Sequence, residues 1–149
     1  DLVVATHVVQ HDYGALIKGE LEVYRAGALP FPEYRGDATI AADAKLIAHA
    51  EAALAEEARV HFGTVLTGDV YLGCGATRAR LFATCAGKAV DMESGAVAQV
   101  AEAFGRPWVV IRALSDLAGE DSHLDSLAFA HEAARNAAAA VLKLLPLFD

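Results

Sequence analysis

The sequence predicts an α/β fold, with a mainly parallel or mixed central sheet flanked by helices, and three observations carry that reading. Apolar runs of strand length alternate along the chain with segments whose apolar residues recur at helical spacing. The first run, residues 2–9, is valine-rich and nearly continuous, the pattern of a strand covered on both faces. Carboxylates gather where the apolar runs stop, at Gly68-Asp69, Asp91-Met92-Glu93 and Ser115-Asp116. In open α/β sheets ligands sit beyond the strand ends, because loops and helix N-termini converge there.

The elements follow in order. After residues 2–9, the stretch 10–36 holds GALIKGE and RAGALPFPEY and reads as a long excursion with one short strand, LEVYRA, at 21–26. A connection of that length in a compact domain is usually disordered or functional. Residues 43–58 place Leu46, Ile47, Ala50, Ala53 and Leu54 on one stripe of a helix, with Asp43 at its first turn, where exposed backbone donors favour an anion. VHFGTVLTGD, residues 60–69, reads as a strand ending in a Gly-Asp turn. A helix over about 76–86 carries Arg78, Arg80, Leu81 and Phe82, and residues 89–92 are a short strand. Residues 93–104 are helical, with Val97, Val100, Ala101 and Phe104 toward the core. A further strand starts just after Pro107 and ends at Ser115-Asp116. The last helix, about 124–145, is announced by a capping box at Ser122 and Asp125 and stopped by Pro146; its alanines at 137–140 form a close-packing face.

Bulk properties exclude several function classes. A chain of 149 residues supports one sizeable core, so a single domain over 1–149 is expected. A net charge of -8 argues against a broad electrostatic grip on nucleic acid or an anionic membrane. The opening DLVVATHVVQHD has no basic leader and no starting methionine, so residue 1 is not expected to be the first residue of the natural protein. Two cysteines give no disulfide framework. Cys74 belongs to a loop beside the candidate site, and Cys85 reads as a small buried helix residue. The histidines are scattered and neither CxxC nor HExxH occurs, so no metal is expected.

AVDMESGAVAQVAEAFGRPWVVIRALSDLAGEDSHLD, residues 89–125, resembles the C-terminal core of the nucleoside phosphorylase and nucleosidase superfamily. Within it the similarity is greatest to the methylthioadenosine/S-adenosylhomocysteine nucleosidases. DLVVATHVVQHD is similar to the family strand that leads to a His-Asp pair, and TGDVYL to its Ser-Gly-Asp turn. Segment 13–33 departs from the pattern, lacking the Asp-x-Thr-x-Phe-Gly-Tyr run of the bacterial nucleosidases.

The resemblance implies a partial nucleoside phosphorylase-like fold without the N-terminal strands and Gly-rich loop of the family, nor its N-terminal water-activating Glu. It implies hydrolysis of the N-glycosidic bond of 5'-methylthioadenosine or S-adenosylhomocysteine with release of adenine. A small nucleoside substrate, no cofactor, a homodimer and a cytoplasmic location come with it. Asp116 would be the acid that protonates purine N7, oriented by Ser115. To serve, it must hold its proton at neutral pH, which the end of an apolar run and neighbouring carboxylates favour. Glu93 would bind the ribose hydroxyls and Met92 supply an apolar surface under the sugar. Tyr71 would stack on adenine, with backbone groups of Val70, Tyr71 and Leu72 reading the purine edge. Asp91 stands where the bacterial enzymes carry Glu, and Asp69 braces its turn.

Two other functions stay open: a phosphate-dependent phosphorylase, and a non-catalytic nucleoside-binding or structural module. Plainer readings stand beside these roles. His11-Asp12 is an ordinary hydrogen-bonded pair at a strand end or a residue pair at a pocket rim. Arg112, inside an apolar strand, is a structural charge that needs a carboxylate partner. Phe104 and Trp108 continue the apolar pattern into the core.

Overall fold

The computed structural model describes the chain apart from Pro30, Arg35, Leu117, Glu120, Asp121, Phe148 and Asp149, and apart from the side chains of Pro32, residues 122–128 and Leu147. In chain order the elements are β1 (Leu2–Gln10), β2 (Gly14–Ile17), β3 (Glu20–Val23), β4 (Thr39–Ala41), α1 (Ala44–Ala53), β5 (Val60–Thr67), α2 (Gly75–Cys85), β6 (Gly87–Asp91), α3 (Ser94–Ala103), β7 (Ile111–Ala113) and α4 (Ser122–Leu144).

The valine-rich β1 organises the sheet. One edge pairs in parallel with β5, from Leu2 opposite Val60 to Gln10 opposite Thr67, and β5 pairs in parallel with β6. The other edge is shared by two short antiparallel strands: β7 along residues 2–4 and β4 along residues 7–9. The sheet is therefore mixed, in the order β4-β1-β5-β6 with β7 beside β1.

Strand alternation sends the two sets of β1 side chains to two cores. Leu2 and Val4 pack with Ala50 of α1, with Leu54 just past its end, and with Ala140 and Leu144 of α4. Val3 and Ala5 pack on the opposite side with Val65, Ala98 and Trp108. Between Ala5 and His7 the pairing with β5 slips by one residue, a bulge at Thr6. The slip reverses the parity, so Val8 joins the cluster of Val3 and Ala5, while Val9 packs with Leu66 and Leu81.

Asp43 caps α1 as its position suggests, its carboxylate accepting from Lys45 and Leu46 N–H at 2.9 and 3.0 Å. The helix ends at Ala53, five residues earlier than expected, with Leu54 as its C-cap. The excursion holds a β2–β3 hairpin rather than one strand at 21–26. Its two-residue turn, Lys18-Gly19, is left-handed at both positions (φ 53° and 87°), which matches the twist of the flanking strands. Tyr24 is buried, Arg25 Nη1 donates to Thr39 O at 3.1 Å, and Arg25 pairs with Glu102, so the excursion is fastened to β4 and α3. At the entry to β4 the backbone N–H of Thr39 holds the Asp37 carboxyl below its ordinary pKa.

α3 turns a different face inward from the one its large apolar residues suggest. Ser94, Gly95 and Ala98 are buried, whereas Val97 and Val100 are exposed and Phe104 is 76% exposed. The reason is close approach: a Cβ on Gly95 would overlap the Thr67 Cγ2 methyl, so only small residues fit between α3 and β5. Trp108, by contrast, is buried as expected. β7 is only three residues long, although its approach already bonds to the core through Asp43 N–H to Trp108 O and Ala5 N–H to Val110 O. The Ser122 and Asp125 capping box lies outside the described side chains. Among the described residues no helix is long and apolar enough to cross a membrane.

Gly95→Ala is expected to destabilise the fold by about 1–3 kcal/mol through overpacking against buried Thr67. Thermal unfolding checks this, and an unchanged midpoint would refute the close-approach argument.

Candidate active site

β5 and β6 run parallel, so their carboxyl ends lie side by side. Gly68 N–H donates to Asp91 O at 3.1 Å and ties the turn after β5 to the last residue of β6. The side chain of Asp91 is only 1% exposed. Its oxygens accept from the backbone N–H of Glu93 (3.3 Å) and Ser94 (3.1 Å) and from the Ser94 hydroxyl, at the N-terminus of α3. Its second oxygen also pairs with Arg112 Nε at 3.1 Å. Arg112 then reaches Glu93 Oε2 through Nη2 at 3.0 Å. One buried carboxylate thus joins β6, α3 and β7, as a buried ion requires partners on every side.

Arg112 also faces a cavity of about 540 Å³. Its walls come from β6, from the face of α2 that carries Arg78 and Phe82, and from Arg112, Ser115, Asp116 and Ala118. Leu66, Leu72 and Val90 supply apolar surface. Within it the Ser115 hydroxyl donates to Asp116 Oδ2 at 2.9 Å, and Ala118 N–H donates to Asp116 Oδ1 at 2.7 Å. Ala118 adopts the left-handed conformation (φ 49°), uncommon outside glycine, in turning its N–H back to that carboxyl.

Ser115 and Asp116 do not share the carboxyl edge of β5 and β6, as the sequence reading assumed. β7 runs against β1, and Leu114 N–H bonds back to Asp1 O at 2.9 Å. Of the residues singled out from sequence, the structure gathers Leu72, Ser115 and Asp116 in the cavity wall. Glu93 is joined to that wall through Arg112, and Asp91 is turned inward as the brace. Val70, Tyr71 (55% exposed) and Met92 (46% exposed) lie outside the lining. The Tyr71 ring rests against Gly73, where a Cβ would be 3.4 Å from its Cε1.

The sequence reading missed Arg78, Phe82, Lys88 and Val90 in the wall, and Arg112 as a cavity residue. Arg78 and Phe82 are four apart on one helix face, a legible signal. Arg112 was recognisable as a lone charge inside VVIRAL, and the carboxylate partners it was expected to need are present. Lys88 sits at a strand start and offers no such signal. His11 and Asp12, read as an ordinary hydrogen-bonded pair or as a pair at a pocket rim, are not bonded to each other; Asp12 Oδ2 instead accepts Asp69 N–H at 2.6 Å. Among the described residues no group of three His, Cys, Asp or Glu could hold a metal ion.

The sequence profile of the phosphorylase superfamily matches residues 1–146, nearly the whole chain. The chain belongs to the phosphorylase superfamily. Among its relatives in that superfamily, the 5'-methylthioadenosine/S-adenosylhomocysteine nucleosidase of Mycobacterium tuberculosis is 41% identical, the match covering 99% of this chain and 64% of that protein. Two solved superfamily structures share the fold. The Neisseria meningitidis 5'-methylthioadenosine/S-adenosylhomocysteine nucleosidase in complex with methylthio-immucillin-A has a TM-score of 0.82 at 31% identity, covering 97% of this chain and 61% of that one. The native futalosine hydrolase of Helicobacter pylori has a TM-score of 0.81 at 28% identity, covering 98% and 60%. The chain therefore spans about three fifths of the length of these relatives.

Asp91→Ala removes the acceptors of the α3 N-terminus and strips Arg112 of its buried partner. The expected loss is about 1.5–3 kcal/mol, the range of a charge-assisted hydrogen bond. Denaturant unfolding measures it, and a stability within error of the parent would show that Asp91 is no brace.

Proposed function

We propose that the protein hydrolyses the N-glycosidic bond of a purine nucleoside of the 5'-methylthioadenosine or S-adenosylhomocysteine kind, releasing adenine. One observation carries the reading: a carboxyl held by two donors, Asp116, stands in a cavity with Leu72 in a chain whose relatives bear the name of that nucleosidase.

The reaction must expel a purine through N9, and the electron pair it takes away makes the base a poor leaving group until N7 is protonated. Ala118 N–H commits Oδ1 of Asp116 to accepting, whereas the Ser115 hydroxyl at Oδ2 can rotate to donate or accept. Oδ2 is thus the oxygen able to carry the proton and deliver it to N7. The C1'–N9 bond breaks, the ribosyl group becomes cation-like, and water adds at C1' while its proton balances the one Asp116 gave. Glu93, anchored by Arg112, supplies the anion beside the sugar hydroxyls, and Met92 the apolar surface under it. Leu72 contacts the base in the wall, and Tyr71 and Val70 close from the adjoining turn. Asp91 orients Arg112 and Glu93 without touching substrate.

A second reading, phosphorolysis, is favoured by Arg78 and Lys88 in the same cavity, cations suited to an anion, Arg112 being already paired with Asp91 and Glu93. Product analysis separates the two. Free sugar whether or not phosphate is present supports hydrolysis, and a sugar 1-phosphate formed only with phosphate refutes it. A cytosolic location fits the free thiol of Cys85.

In the full-length protein Asp116→Asn is expected to lower kcat by about 100- to 10,000-fold, the range for loss of a general acid, with adenine affinity less changed. Steady-state kinetics and adenine titration check it, and kinetics equal to the parent would remove Asp116 from the acid role. A homodimer is the proposed assembly, supported by the exposed α3 face of Val97, Val100 and Phe104. Sedimentation should give twice the chain mass, and Phe104→Glu should shift it to monomer; a monomeric parent rules the assembly out.

A further inference from the structure

At the end of β1, two consecutive residues grip the turn that follows β5. His11 N–H donates to Thr67 O at 2.9 Å, and Asp12 Oδ2 accepts Asp69 N–H at 2.6 Å, so the grip falls on either side of Gly68. Gly68 has no room for a side chain, because a Cβ there would lie 2.7 Å from both Asp12 Oδ2 and His11 Nε2. From the other side Gly68 N–H is held by Asp91 O. The turn is therefore clamped between β1 and β6, and it leads directly into Val70, Tyr71 and Leu72, of which Leu72 lines the cavity that holds Asp116.

The clamp is not optimised as a structural contact. His11 Nε2 and Asp12 Oδ1 are buried with no hydrogen-bond partner among the described residues. Orphaned buried polar atoms are costly and uncommon, and their retention next to a site points to a geometry kept for function.

We propose that Asp12, seated on Gly68 and flanked by His11, is a positioning residue for the purine. Through Asp69 N–H it fixes the turn that presents Leu72 to the base, without itself touching substrate. The role rests on the nucleosidase reading and predicts an effect on base binding rather than on proton transfer. Asp12→Ala removes the acceptor. Asp12→Asn keeps a side-chain carbonyl that can receive the Asp69 N–H.

In the full-length protein Asp12→Ala is expected to raise KM for 5'-methylthioadenosine and to weaken adenine binding by about tenfold, the effect of about 1.4 kcal/mol. Its kcat should fall less, and Asp12→Asn should restore KM toward the parent value. An Asp12→Ala protein that is folded by thermal unfolding and keeps the parent KM overturns the role, as does an Asn variant no better than Ala. Should Asp12→Ala fail to fold, Asp12→Glu keeps the charged acceptor one methylene out of place and is expected to raise KM; a parent-like KM there also overturns it. A parent protein that releases no adenine refutes the nucleosidase reading and this role with it, whereas adenine release with an Asp12-independent KM refutes the positioning role alone.

Discussion

The buried carboxylate of Asp91 is the interaction on which the rest of the site depends. Four donors from two elements converge on its two oxygens at the end of β6: two backbone N–H groups and a hydroxyl at the start of α3, and the guanidinium of Arg112 in β7. A carboxylate with almost no exposed surface is tolerable only when its charge and lone pairs are met in this way. In consequence β6, α3 and β7 cannot move independently. The position of Glu93 is set by Arg112 on one side and by the first turn of α3 on the other.

A second constraint, close approach by small residues, explains why α3 sits where it does. Ser94, Gly95 and Ala98 allow the helix to lie almost on Thr67, the residue that pairs with Asp91 across β5 and β6. Larger residues on that face would lift the helix and withdraw its N-terminal donors from Asp91. The apolar residues that would ordinarily fill such a gap are displaced to the outer face, where Val97, Val100 and Phe104 stand exposed. Local packing at the sheet and the apolar outer surface are therefore one feature seen from two sides.

Much of the fold was legible in the sequence because period and capping chemistry are local. Residues 2–9 read as a doubly covered strand, and Asp43 read as the start of α1; both have causes within a few residues. The inward face of α3 was misread because the decision between Gly95 and Val97 depends on Thr67, remote in sequence and adjacent only after folding. The β2–β3 hairpin was half missed because Lys18-Gly19 is a weaker turn signal than Asn-Gly, though both its residues adopt the left-handed region. At the site, Asp116 and its Ser115 neighbour could be singled out from a short motif. That Leu72 rather than Tyr71 lines the cavity with them depends on how the turn after β5 rests on Gly73, Asp12 and Asp69, which no local pattern reports.

The cavity inverts the charge of the chain that builds it. Against a net charge of -8, its wall presents, among the described residues, Arg78, Lys88 and Arg112 with one carboxylate, Asp116. Arg112 is already balanced by Asp91 and Glu93, so its charge serves to hold anions in place rather than to attract a new one. Arg78 and Lys88 lie instead toward α2 and the start of β6. Under the proposed reaction this division has a chemical sense. The ribosyl side of the breaking bond gains positive charge and is met by Glu93, while the departing purine gains electron density and is met by a proton donor in a wall that also bears cations. Opposite fields at the two ends of one bond favour its heterolysis more in the transition state than in the bound nucleoside, which is the only kind of interaction that raises the rate of the chemical step.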